Sequence, residues 1–305
     1  MDRSPSESPP AAPSGRPKVV YVMGAGRSGS TILGVTLGNC EDIFYAGELD
    51  KWLMRSGVPK RGGEERTRFW RAVLEQMDGA QDLFGREAHQ YLERSSALFR
   101  VNRRSTRRRL RQHYREVTED LYRAIARSAG TTHIVDTAHY PLRARELQQM
   151  SGIDLYLIFL ARDPQSVVAS FEREDVPEAR FNALTTNAYL WLTHLLSSYV
   201  FLRHPRERRI FLRHEDFLAD PEGVLRSLLA HLDSLSDVPD LTRLSTGFPL
   251  QGNRLIDSDV VALKRSTDRP VRSSGITALL QLPWTVLSSL LRPAGRPIGG
   301  GTVGG

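Results

Sequence analysis

Residues 22–31 read VMGAGRSGST, and the apolar, β-rich run KVVYVM at 18–23 leads into them. A strand that ends in glycines and passes at once into a helix constrains this chain more than any other feature. Gly24, Gly26 and Gly29 permit backbone turns that a Cβ would hinder. Gly24, four residues, Gly29 and the hydroxyl of Thr31 give the outline of a phosphate-binding loop. In the strand–turn–helix context, loop amides and the helix N-terminus converge on one anion. Ser30 stands where nucleotide-hydrolysing loops carry lysine, and Ser28, Ser30 and Thr31 supply hydroxyls. Arg27, inside the loop, provides the cation, with a fork matched to tetrahedral oxyanions. A plain structural turn is the competing reading.

The rest of the chain alternates strands and helices. Residues 31–39 continue as a helix, and IFY at 43–45 reads as a second short strand. HIVD, DLYLIFLAR and RIFLRHE read as further strands, each followed by a helical stretch. Runs as apolar as LYLIFL suit a parallel sheet covered on both faces, so the class is α/β. Residues 60–130 form a helical insertion in which Phe69, Trp70, Val73, Leu74 and Met77 recur at helical spacing, as a core stripe does. Residues 1–17 read as a disordered lead without a signal peptide, 18–294 as one domain, and 295–305 as a flexible glycine-rich tail. No stretch is apolar enough to span a bilayer, and the chain reads as cytoplasmic.

Charge is unevenly placed. The net charge is +7, and much of the excess sits in RVNRRSTRRRLRQHYR at 100–115. A helix of this composition carries arginine on nearly every face, with little apolar stripe beyond Leu110 and Tyr114. A solvated face and a surface for an acidic partner are both open, while aromatics are not interleaved as nucleic-acid stacking requires. The lone Cys40 excludes a disulfide framework and cysteine-rich zinc sites, and reads as a buried thiol. His194, His204 and His214 show no metal-binding spacing.

A second constellation is FLARDPQSVVASF at 159–171. A strand ends at Arg162, Asp163 caps the next helix, and Pro164 suits its first position. Arg162 and Ser170 then flank that helix as ligands for a second anion; a salt-bridge arginine and a packing serine are the alternative. With Asp163 spent as a cap, no carboxylate stands out to hold the magnesium of a kinase.

The two motifs together resemble the nucleotide-binding motifs of sulfotransferases that use 3′-phosphoadenosine 5′-phosphosulfate. The resemblance implies a three-layer, P-loop-like fold and a metal-independent reaction. It assigns Gly26, Arg27, Ser28, Gly29, Ser30 and Thr31 to the phosphosulfate, and Arg162 and Ser170 to the 3′-phosphate. Three further segments agree. YAGELDKW at 45–52 resembles a segment of the bacterial and carbohydrate branches whose glutamate, here Glu48, is the proposed general base. IVDTAHYPLRARELQ at 134–148 resembles a D-S-S-K-x-P-x-R segment, with His139 in place of lysine. QGNRL at 251–255 resembles a late segment that closes over the nucleotide, implicating Gly252 and Asn253. The family often has an arginine a few residues later, where Ile256 stands, and Arg254 is the substitute on offer.

Sulfuryl transfer is an in-line displacement with charge spread over non-bridging oxygens, so arginine and amide donors suffice without metal. Glu48 is then the base. His139 faces the departing oxygen as imidazolium or neutral donor, or is simply a polar residue before the turn at Pro141. The expected acceptor is a hydroxyl or amine of a glycan, lipid or secondary metabolite. A metal-dependent P-loop small-molecule kinase and a non-catalytic nucleotide- or polyanion-binding protein are the alternatives.

Overall fold

Five strands form one parallel sheet: β1 (Lys18–Gly24), β2 (Ile43–Gly47), β3 (His133–His139), β4 (Asp154–Ala161) and β5 (Arg209–Arg213), in the order β2-β3-β1-β4-β5. The computed structural model describes residues 15–60, 62–171, 182–264 and 275–294. Most of the expected lead and the whole expected tail lie outside these residues.

Side chains of β1 alternate between the two faces, as the period of a strand requires. Val19, Tyr21 and Met23 join one core with residues of α4 (Arg104–Ala129), α5 (Pro141–Leu147), α7 (Ala183–Leu202) and α11 (Leu282–Ala294). Val20 and Val22 join the other, with α1 (Ser30–Leu37) and α9 (Pro221–His231). The result is the three-layer α/β fold. Between β2 and β3 the chain runs through α2 (Asp50–Met54), α3 (Glu64–Leu74), a π-helical turn at His89–Glu93 and α4. Trp70, Val73 and Met77 are buried, as their spacing predicts. Among the described residues no helix is long and apolar enough to cross a membrane.

Two element ends differ from expectation. Helix α1 stops at Leu37 rather than Asn39: Gly38 is its C-cap, and Asn39 ties the helix end to a later segment. Its Nδ2 donates to the carbonyls of Val35 and Ser245, and its Oδ1 accepts from the Ser245 amide. Strand β3 continues past HIVD to His139 although Asp136, Thr137 and His139 are polar. Asp136 is tolerated there because a guanidinium reaches it: Arg143 Nη2 and Nε lie 3.0 and 3.2 Å from Oδ2.

Four histidines, three buried and His139 half-buried, give the fold a defined response to acid. Burial pushes His194 down to about 3 and His204 to about 4; burial, aided by Lys51, takes His139 to about 3, and burial, aided by Arg162, takes His214 to about 4. The unfolded chain binds these protons near pH 6.5, so it holds more protons than the native state from about pH 6.5 down to about 4 for His204 and His214 and about 3 for His139 and His194. Stability is therefore full above that window and falls as pH drops through it, by up to about 1.4 kcal/mol per pH unit for each histidine. His194 stacks on Trp284 at 3.8 Å between ring centroids, and its Nδ1 is buried without a partner. Denaturant melts of His194→Phe from pH 7 to 5 should show a shallower pH dependence than the parent; an identical slope removes His194 from the account.

Candidate active site

Ligands of parallel α/β sheets bind outside the carboxyl ends of the strands, where connections leave in opposite directions. Here that point lies between β1, whose chain moves toward β2, and β4, whose chain moves toward β5. The glycine loop follows β1, and Arg162 follows β4. Gly24 pairs with Leu160 in register, and a Cβ on Gly24 (φ +146°) would stand 2.3 Å from the Leu160 carbonyl oxygen. Gly29 (φ +91°) is the N-cap of α1 and offers no side-chain cap. Intrahelical bonding begins with Leu33 donating to Gly29, so the first amides of α1 are left for a ligand.

Arg27 holds a left-handed conformation (φ 67°), and its carbonyl accepts from Arg162 Nη1 at 2.9 Å. The two arginines that the sequence places 135 residues apart thus meet at one loop. Ser28 is buried with its hydroxyl unpartnered. Ser30 is partly exposed, and Thr31 is buried beside Tyr45, whose hydroxyl lies 3.3 Å from Thr137 Oγ1. The Gly26 amide donates to the Tyr189 hydroxyl at 2.9 Å. An orphaned hydroxyl, helix-end amides and an arginine held against the loop backbone fit a sulfate- or phosphate-bearing group.

Asp163 does what its spacing predicts: Oδ2 accepts from the Ser166 amide at 2.8 Å, capping α6 (Pro164–Phe171). Ser170 lies on the half-exposed face of α6. Glu48 follows β2 directly and meets the late segment. Its amide donates to the Gln251 carbonyl at 2.9 Å, and its Oε2 accepts from Gln251 Nε2 at 3.2 Å. Gly252 comes near Tyr45, since a Cβ there would lie 3.4 Å from its hydroxyl. Asn253 caps a short 3-10 turn, with Oδ1 accepting from the Leu255 amide at 2.8 Å, and Arg254 is exposed in that turn.

His139 ends β3 with a left-handed backbone (φ 58°), its ring 4.3 Å from that of Tyr140. Of the two protonation states open to it, desolvation, reinforced by Lys51, selects the neutral one. Lys51 is a cation of this wall, with Arg94 also near enough to act on His139 and Tyr140. Lys51 Nζ donates to Asp50 Oδ2 at 2.5 Å and lies 5.5 Å from the Tyr140 ring centroid. Burial and the neighbouring Glu93 and Glu48 outweigh Lys51 and raise the Asp50 carboxyl well above its ordinary range. Among the described residues one trio has metal-ligand proximity: Asp50, His89 and Glu93. Lys51 already donates to Asp50 and Arg143 to Glu93, so each carboxyl of this trio has a cationic side chain beside it.

Lys51, Tyr189 and His214 are the residues that sequence reasoning missed. A Cβ on Gly29 would fall 2.3 Å from the His214 ring, so this histidine closes the loop from the β5 side. Tyr189 sits in an apolar helix where no spacing singles it out. Lys51 was legible only as part of the DKW that follows Glu48.

A family model described as the sulfotransferase family matches residues 17–235. The chain is similar in fold to a sulfotransferase domain from the curacin biosynthetic pathway, at 17% identity and TM-score 0.52, covering 89% of this chain and 99% of that one. It is likewise similar to a sulfotransferase domain from the Synechococcus PCC 7002 olefin synthase, at 18% identity and TM-score 0.51, covering 90% and 97%. No curated protein sequence matches.

Proposed function

We propose that this chain, which belongs to the sulfotransferase family, moves a sulfuryl group from 3′-phosphoadenosine 5′-phosphosulfate to a hydroxyl or amine of a glycan, lipid or secondary metabolite in the cytoplasm. The observation that carries the reading is the junction of Arg162 with the Arg27 carbonyl beside a buried, unpartnered Ser28 hydroxyl. Two arginines and a helix end at one loop make a cradle for oxyanions without lysine. With Asp163 engaged as a cap, the arrangement supports metal-free chemistry over a magnesium-dependent kinase.

The donor supplies an electrophilic sulfur; the chain's residues bind and orient around it. Loop amides, Ser28, Ser30 and Thr31 hold the sulfate-bearing phosphate, and Arg162 with Ser170 holds the 3′-phosphate. Gly252, Asn253 and Arg254 lie on the nucleotide side. Arg27 stabilises charge on the transferring group, where a preorganised donor counts most. Glu48, oriented by Gln251, takes the acceptor's proton. Neutral His139 has a single ring N–H, for which the Thr137 backbone competes with the departing oxygen, and Lys51 supplies positive charge in the same wall.

Calorimetry with adenosine 3′,5′-bisphosphate, with magnesium and with chelator, tests the reading. Metal-independent binding preferred over ATP is expected. ATP binding that needs magnesium would establish the kinase, and bisphosphate binding without turnover of any acceptor the binding protein. Arg162→Ala should weaken the bisphosphate roughly tenfold or more, the worth of a charge-assisted hydrogen bond, while adenosine 5′-monophosphate changes little. Equal losses for both ligands would make Arg162 a structural residue.

A further inference from the structure

Another strongly basic cavity lies between α4, α5 and the end of α7, and the proposed reaction does not use it. It encloses about 620 Å³, a volume that suits a small molecule rather than a polymer. Five arginines line it: Arg111 and Arg115 from α4, Arg145 from α5, Arg203 at the end of α7, and Arg208 just before β5. Glu146 is the carboxylate in its wall. Glu146 Oε1 accepts from Arg111 Nε at 2.9 Å, and Oε2 accepts from Arg115 Nη2 at 2.7 Å and Nε at 3.0 Å. Arg208 is held by Asp154 at 2.9 Å, and the Arg203 guanidinium lies 4.4 Å from the Tyr199 ring centroid.

Four of the five guanidinium groups are therefore held in place by only two carboxylates and one ring. Five positive charges against two negative ones leave an excess of three around one cavity, and like charges so gathered repel unless an anion offsets them. Arginine forks held in advance lose little freedom on meeting phosphate or sulfate oxygens. The cavity is separate from the glycine loop. Leu155 lines it, whereas Leu160 pairs with Gly24. Five residue steps along β4 separate the two, roughly 17 Å at about 3.3 Å each.

We propose that this cavity is a binding site for a small anion carrying two or more phosphate or sulfate groups, free in solution or at a lipid headgroup. Arg145 and Arg203, both exposed, contribute the charge that no carboxylate within the cavity neutralises. The arginine-rich segment thus divides its work. Arg111 and Arg115 face this cavity, while Arg104, Arg108 and Arg109 line a separate shallow one.

The test is calorimetric titration of the full chain with inorganic tripolyphosphate. The site should lose roughly a hundredfold in affinity in Arg145→Ala/Arg203→Ala, about tenfold for each charge-assisted contact. It should persist in Arg108→Ala/Arg109→Ala and in Arg27→Ala, and orthophosphate should bind far more weakly than tripolyphosphate. Parent-like binding in Arg145→Ala/Arg203→Ala overturns the proposal, as does an equal loss in Arg108→Ala/Arg109→Ala, which would mean diffuse charge. Loss in Arg27→Ala alone would assign the probe to the glycine loop and also overturn it. Because both positions are exposed, the double variant should melt as the parent does; Arg203→Glu alone provides a second reading. Sedimentation with vesicles carrying a bisphosphorylated inositol lipid, abolished by the double variant, identifies a headgroup; binding of tripolyphosphate without sedimentation identifies a free anion. Either result supports the site.

Discussion

Arg143→Ala is expected to destabilise the protein by about 3 to 5 kcal/mol, the cost of removing one partner from a buried ion network. Arg143 is 2% exposed. Its guanidinium donates to Asp136 Oδ2, to Glu93 Oε1 at 2.5 Å and to the Tyr114 hydroxyl at 2.7 Å. Tyr114 donates in turn to Glu93, and Tyr122 to Asp136, each at 2.7 Å. Burial pushes the Glu93 carboxyl up, but Arg143 and His89 outweigh it and hold the group below its ordinary range. Without the guanidinium, two buried carboxylates lose their main counter-charge. Equilibrium denaturation measures the loss. Arg143→Met combined with Asp136→Asn and Glu93→Gln should recover much of it, because charge and counter-charge leave together. A loss under about 1 kcal/mol in Arg143→Ala would contradict the network's role.

Arg27→Ala should lower turnover at least a hundredfold, since one preorganised donor to transition-state charge is worth about 3 kcal/mol. The substitution keeps the backbone carbonyl that receives Arg162, so the loop retains that tie. The bisphosphate lacks the sulfuryl group, and its affinity should fall less than turnover. Steady-state kinetics beside calorimetry separates the two effects. Parent-like turnover would remove Arg27 from the mechanism.

Much of the sheet was legible because buried parallel strands are continuous apolar runs, and LYLIFL and KVVYVM are such runs. The end of β3 was not, since Asp136, Thr137 and His139 look unlike a strand until Arg143 is seen across the turn. The loop and the capping role of Asp163 were legible because glycine and cap chemistry are local. His214 and Tyr189 were not, because their approach to the loop depends on how β5 and α7 pack. The protonation of His139 could not be read from its neighbours in sequence; it depends on burial and on Lys51, which is 88 residues earlier. The arginines at 100–115 could be counted, but their division between two cavities is a property of α4's orientation.

The join between Glu48 and the late segment also bears on how the chain assembles. Strand β2 is an edge of the sheet, and an open edge invites pairing with other chains. Leu250 donates its amide to the Ala46 carbonyl at 2.9 Å, Gln251 accepts from the Glu48 amide, and Phe248 accepts from Trp70 Nε1 at 2.8 Å. Residues 248–251 thus sheathe part of the edge strand. During synthesis this sheath arrives some two hundred residues after the strand it covers. Until then the nascent chain carries a raw β edge, and a protein truncated before residue 248 would keep it, prone to self-association and lacking the Gln251 that orients Glu48.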